Sequence, residues 1–201
     1  MKRLISLLCA LTLALLTALP AAAAEPAAFD PGTDYMARML EAVCAGDYAG
    51  GSAAAQSRAA KVAALYPERP QVDFDELWLL SKIIHAEAGS AWLPAEWKMA
   101  VGEVVLNRVA SPEFPDTMRE VLEQPGQYYG RNNPYFDGLR PSPESADAAR
   151  RLLEGERVLD NAAVVFQANF PQGSGVFLEL RDALLGSTYL CFSIRPELYA
   201  G

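Results

Sequence analysis

The chain has 201 residues, of which 17 are Lys or Arg and 25 are Asp or Glu, giving a formal net charge of −8. That acidic balance argues against nucleic acid or anionic membranes as partners, because counterion release and surface potential would both oppose binding. Length and an apolar share of 51% suit one domain with its own core.

Met1-Lys2-Arg3, an apolar run from Leu4 to Leu19, and Pro20 followed by four alanines form an export signal, with cleavage expected after Ala24. Removal leaves about 177 residues and a balance of 15 basic to 25 acidic. No later run is long and apolar enough to span a bilayer, so the mature chain is expected to be secreted into the cell envelope without stable membrane insertion. Three units follow from composition: 1–24 as the signal, 25–70 as a lead-in with a helical appendage, and 71–201 as the main domain.

Residues 25–31 carry no periodic pattern. Residues 33–45 read as a helix with Met36, Met39, Leu40 and Val43 on one face and Gly46 at its end. An alanine-rich helix over 52–65 presents Ala60, Val62, Ala63 and Leu65. Asp73 and Glu76 make a capping box that opens a helix through Leu77, Leu80, Ile83 and Ile84 to Glu87. Pro94 suits the first turn of a further helix with Trp97, Ala100, Val101, Val104, Val105 and Val109 inside. Thr117 with Glu120 caps a short helix, and Ser142-Pro143 opens another that buries Ala146, Ala149, Leu152 and Leu153 before Gly155. Between them, residues 126–141 are a loop rich in Gly, Pro, Asn and Tyr.

After Gly155 the residues turn β-branched and aromatic, and 164–170, 176–180 and 188–193 read as strands. Helices first and short strands last predict an α+β fold, mainly helical, with a small C-terminal β element. Cys9 leaves with the signal, and Cys44 and Cys191 are open to either a bridge or two unpaired thiols.

The residue that carries chemistry is Glu87. Ile83, Ile84 and Ala88 flank it, and Gly89 follows where the helix must end, with φ > 0 expected. A carboxyl partly buried there would hold its proton near neutral pH, as glycosidic-bond cleavage requires. His85 is the single histidine, two residues from Glu87 and so on a different helical face. One histidine leaves no metal-ligand spacing, and neither a metal nor another cofactor is expected. Asn107-Arg108, polar within an apolar helix, is expected to bond loop carbonyls. Glu103 is expected to be solvated or ion-paired.

Four ordered blocks carry a resemblance: residues 81–89, ending His85-Ala86-Glu87-Ala88-Gly89; 99–109, including Asn107-Arg108; Phe114-Pro115-Asp116-Thr117; and Gln124-Pro125-Gly126 running into Gln127-Tyr128. Over roughly Phe74 to Phe177 the chain resembles the cell wall hydrolase family typified by the spore cortex-lytic enzyme SleB. The resemblance implies a lysozyme-like, lytic-transglycosylase-like domain acting on the glycan strands of peptidoglycan, as a monomer. It maps the catalytic acid/base onto Glu87, and strengthens Gln127 and Tyr128 as sugar contacts. Tyr129, Gln167 and Asn169 complete the candidate substrate-binding set. The family often has a second glutamate shortly after the first, where this chain has Gly89-Ser90-Ala91-Trp92. A single carboxylate suffices if the sugar's own C6 hydroxyl attacks, whereas hydrolysis would call on Glu103 or Asp116 to activate water. An amidase cutting muramic acid from the stem peptide, or a wall-binding protein without activity, are the alternatives.

Overall fold

A computed structural model describes residues 31–65, 67–68, 70–128, 131 and 133–199. The segment expected to direct export, 1–24, and Tyr129 lie outside the described residues. Helices α1 (Pro31–Ala45), α2 (Tyr48–Leu65), α3 (Phe74–Ala88), α4 (Ala95–Val109), α5 (Met118–Leu122) and α6 (Pro143–Leu153) come first. Strands β1 (Val164–Ala168), β2 (Val176–Asp182) and β3 (Gly186–Phe192) follow, with a terminal 3-10 turn. The fold is therefore mainly helical with a small C-terminal sheet, as expected.

Helix α3 is the central element. The Asp73 carboxylate accepts the Glu76 N–H at 3.0 Å, a cap that stabilises a helix start by about 1 kcal/mol. Leu77, Leu80, Ile83 and Ile84 then recur at helical spacing and are all fully buried. Each such side chain contributes roughly 1.5–3 kcal/mol by leaving water. Gly102 lets α4 pass close: a Cβ there would lie 2.6 Å from the ends of both Ile84 and Leu152. Three helices thus meet at a point where a side chain at residue 102 would force the ends of Ile84 and Leu152 to shift. Asn107 ties the far end of α4 to the sheet, donating to the carbonyls of Asn161 at 3.1 Å and Val164 at 3.0 Å.

Thr117 caps α5 reciprocally with Glu120, and Ser142 caps α6 with Pro143 in its first turn. Met36, Met39 and Val43 of α1 pack into the same core as Leu77 and Ile83. Of the face expected for α2, Ala60 is exposed, while Gly51, Ala54 and Arg58 are buried; the side chains of Val62, Ala63 and Leu65 lie outside the described residues. In a helix this rich in alanine the faces differ little in hydrophobicity, so the pattern orients it weakly.

The sheet is antiparallel in the order β1-β3-β2. Val164 and Leu190 pack on Ala100 and Val104 of α4. Leu180 of β2 reaches the cluster formed by Ala88, Leu93, Trp97 and Val101, at the end of α3. Cys44 and Cys191 are both free thiols.

Candidate active site

Glu87 lies in the last turn of α3, and two findings correct the expectation for it. First, the side chain is exposed, not half-sheltered: Ile83, Ile84 and Ala88 turn into the core, whereas Ala86 and Glu87 face outward. Second, Gly89 has φ −73°, so the helix does not end through a left-handed residue. Glycine is required there by close approach, since a Cβ would fall 2.2 Å from the His85 carbonyl oxygen.

The turn after Glu87 is held by a buried cation. Lys98 of α4 is 1% exposed, and its Nζ donates to the carbonyls of Ala88 at 2.7 Å and Ser90 at 2.8 Å. These are the acceptors a helix leaves unsatisfied at its C-terminus, where positive charge is also favoured by the helix dipole. Burial pushes the Lys98 pKa down, yet two carbonyl partners compensate its ammonium.

Glu87 opens onto a groove of about 430 Å³ lined by His85, Ala86, Asn133, Tyr135, Phe136 and Leu139. His85 and Glu87 therefore share one groove, although their spacing suggested different faces. His85 is anchored: its Nδ1 accepts the Ser142 N–H at 3.2 Å and lies 3.3 Å from Ser145 Oγ. Accepting at Nδ1 fixes the neutral tautomer with its proton on Nε2. Burial, then the nearby Lys98 charge, holds the His85 pKa below its ordinary value, with Glu144 opposing.

The opposite wall is the 133–139 loop. Phe136 is 3% exposed and pins it from inside. Beneath it Lys82, five residues before Glu87 on α3, sends its Nζ to the Asp137 carbonyl at 2.7 Å. The same ammonium lies 4.5 Å from the centre of the Trp78 ring and 5.8 Å from that of Phe136. Arg131 stacks on Phe136 at 4.9 Å and pairs with Glu123 at 3.0 Å.

Of the sequence-predicted sugar contacts, none of the described ones is among the residues lining this groove. Gln127 accepts from Arg108 Nη1 at 3.0 Å, and Arg108 Nε donates to the Val165 carbonyl at 2.6 Å. The guanidinium is sandwiched by Phe114 and Tyr128, each 4.9 Å away. Asn107-Arg108 thus bonds carbonyls, as expected. Tyr128 adopts φ +44°, a strained conformation for a residue with a Cβ. Its hydroxyl pKa is pushed up to about 12, chiefly by burial, with Arg108 opposing and the negative charge of Glu87 adding to the rise. Tyr128 and Glu87 therefore feel each other electrostatically. Gln167 lies on β1 with its side-chain oxygen buried, and Asn169 is exposed just beyond that strand.

Glu103 departs from expectation. It is 2% exposed and accepts the backbone N–H groups of Val158 at 2.6 Å and Leu159 at 3.0 Å. It anchors the approach to β1 instead of meeting solvent or a cation. Asp116 is exposed beside the cap of α5. Lys82 and Lys98 were not among the expected site residues; a lysine inside an apolar helical run is the signal that marks each.

The family model for Cell Wall Hydrolase matches residues 94–175, a segment that begins just after Glu87 and contains Asn133, Tyr135, Phe136 and Leu139. No curated protein matches. Among solved structures, the chain is similar to the catalytic domain of the germination-specific lytic transglycosylase SleB from Bacillus anthracis, at 19% identity and a TM-score of 0.46, covering 60% of this chain and 96% of that one. It is also similar to the catalytic domain of the Bacillus cereus SleB protein, at 21% identity and a TM-score of 0.45, covering 59% and 91%. The matched segment supplies the 133–139 wall of the groove, so over those residues the chain is similar to cell wall hydrolases.

Proposed function

We propose that the protein is exported and cuts the glycan strand of peptidoglycan at N-acetylmuramic acid by lytic transglycosylation, with Glu87 as the single acid/base. The cell wall hydrolase domain carries the coarser part of this reading: the protein is a peptidoglycan-cleaving enzyme. The observation that carries the finer part is that Glu87 is the one carboxylate among the described residues lining the groove. Glu103 is committed to two backbone N–H groups elsewhere.

With one carboxylate, the same group must work twice. Protonated Glu87 gives its proton to the glycosidic oxygen as the bond from that oxygen to C1 of muramic acid breaks. The C6 hydroxyl oxygen of the same sugar then bonds to C1, and its proton returns to the Glu87 carboxylate. The products are an anhydro-muramoyl end and a free hydroxyl on the departing sugar. No water is consumed. Because Glu87 is exposed before the strand arrives, the strand itself must supply the shelter that keeps the acid protonated, by displacing water as it fills the groove. Gln127 and Tyr128, which engage Arg108 outside this groove, and Gln167 and Asn169, on β1 and just beyond it, are the proposed contacts where the strand runs past the groove.

The test is mass analysis of fragments released from purified peptidoglycan. Products lighter by one water than reducing-end fragments are expected, and Glu87→Gln is expected to lower their release by about 10²–10⁴-fold. Ordinary reducing ends would replace transglycosylation by hydrolysis. Wall binding without any release would make the protein a binding component.

A further inference from the structure

We propose that Tyr135 is a sugar-stacking platform, holding an uncharged face of the glycan strand against the wall opposite Glu87. The proposal rests on the reading of the groove as a glycan site.

Tyr135 is 80% exposed although its backbone is well fixed. Its N–H donates to Asn133 Oδ1 at 3.0 Å, and the next N–H, that of Phe136, donates to the Asn133 carbonyl at 2.9 Å. Phe136 is buried below it, and Lys82 holds the following carbonyl. The ring is thus presented outward on a rigid support while burying almost nothing of its own, so the fold gains little from having an aromatic residue there. It nevertheless lines the groove that contains the candidate acid.

The chemistry of the groove selects what the ring would stack on. Among the described residues its lining contains no Lys or Arg, and the one charged side chain there is Glu87. His85 adds no cation, because its Nδ1 is an acceptor and burial disfavours its charged form. A stem-peptide carboxylate would meet the like charge of Glu87, while the cations beneath the wall, Lys82 and Arg131, are engaged by the Asp137 carbonyl and Glu123. A sugar ring offers an apolar face for the tyrosine and hydroxyl edges for Asn133, His85 Nε2–H and Glu87. The groove therefore takes the neutral polysaccharide and directs the anionic peptides outward.

The experiment measures binding by co-sedimentation in the non-cleaving Glu87→Gln background, on intact insoluble peptidoglycan and on glycan strands freed of stem peptides by an amidase. Tyr135→Ala is expected to weaken binding by about two- to tenfold on both substrates, the range spanned by aromatic contacts beyond plain burial. Tyr135→Phe, which keeps the ring, is expected to stay within about twofold of its parent. Unchanged binding by Tyr135→Ala, equal loss in Tyr135→Phe, or failure of the stripped strands to bind would each overturn the platform. Fragment release by the unmutated protein is read separately. Its absence alongside a Tyr135-dependent affinity would sink the catalytic reading and leave the platform standing.

Discussion

The two walls of the groove are built by different physics. The α3 wall places Glu87 through packing: four fully buried aliphatic side chains fix the helix, and one buried lysine ties off its end. The 133–139 wall has no regular structure, and it is held by cations reaching in from beneath. Lys82 bonds a carbonyl 55 residues away, and Arg131 stacks on Phe136. Removing a packing contact from the first wall leaves a cavity, whereas removing a cation from the second frees a loop without opening the core.

That contrast can be broken experimentally. The largest effect is expected at Ile83, which is fully buried on α3: Ile83→Ala should cost about 2–5 kcal/mol of unfolding free energy, read from chemical denaturation. A loss under about 1 kcal/mol would mean that the core does not fix the helix that carries Glu87. Lys82→Met keeps the aliphatic stem and removes the ammonium. It should change global stability by less than about 2 kcal/mol, because the lost carbonyl bond is partly offset by relief from burying a charge. Amide exchange across residues 133–139 should quicken, with protection in α3 unchanged. Equal loosening of both would erase the distinction between the walls.

The smallest effect sharpens the comparison at His85, where α3 meets the start of α6. Its folded pKa lies below the ordinary 6.5, so the unfolded chain binds the extra proton first as pH falls. The stability His85 contributes is therefore complete above about pH 6.5 and is lost as pH drops from there toward its lowered folded value. The melting temperature should decline across that window, and His85→Gln should flatten the decline. A slope unchanged by the substitution would show that other groups govern it.

Much of the helical wall was legible in the sequence. The Asp73–Glu76 cap and the spacing of Leu77, Leu80, Ile83 and Ile84 are local features, set by neighbours within two turns. The three strands were legible for the same reason. What could not be read depends on contacts between distant segments. Tyr135, Phe136 and Glu87 come together only because Lys82 and Phe136 fold the loop back onto α3. Gly89 misled because glycine ends helices for more than one reason, here the nearness of the His85 carbonyl rather than a positive φ. The shelter expected for Glu87 failed because flanking apolar residues on a helix point to the core while the carboxylate points away.

The concealment of Lys82 and Lys98 has a practical corollary. Lys61, on α2, is the remaining lysine among the described residues, and it is exposed. Among the described residues, amine-directed dyes or tethers would consequently find one side-chain attachment point in the folded form and three after denaturation. Selective conjugation at Lys61 would leave both walls of the groove chemically intact.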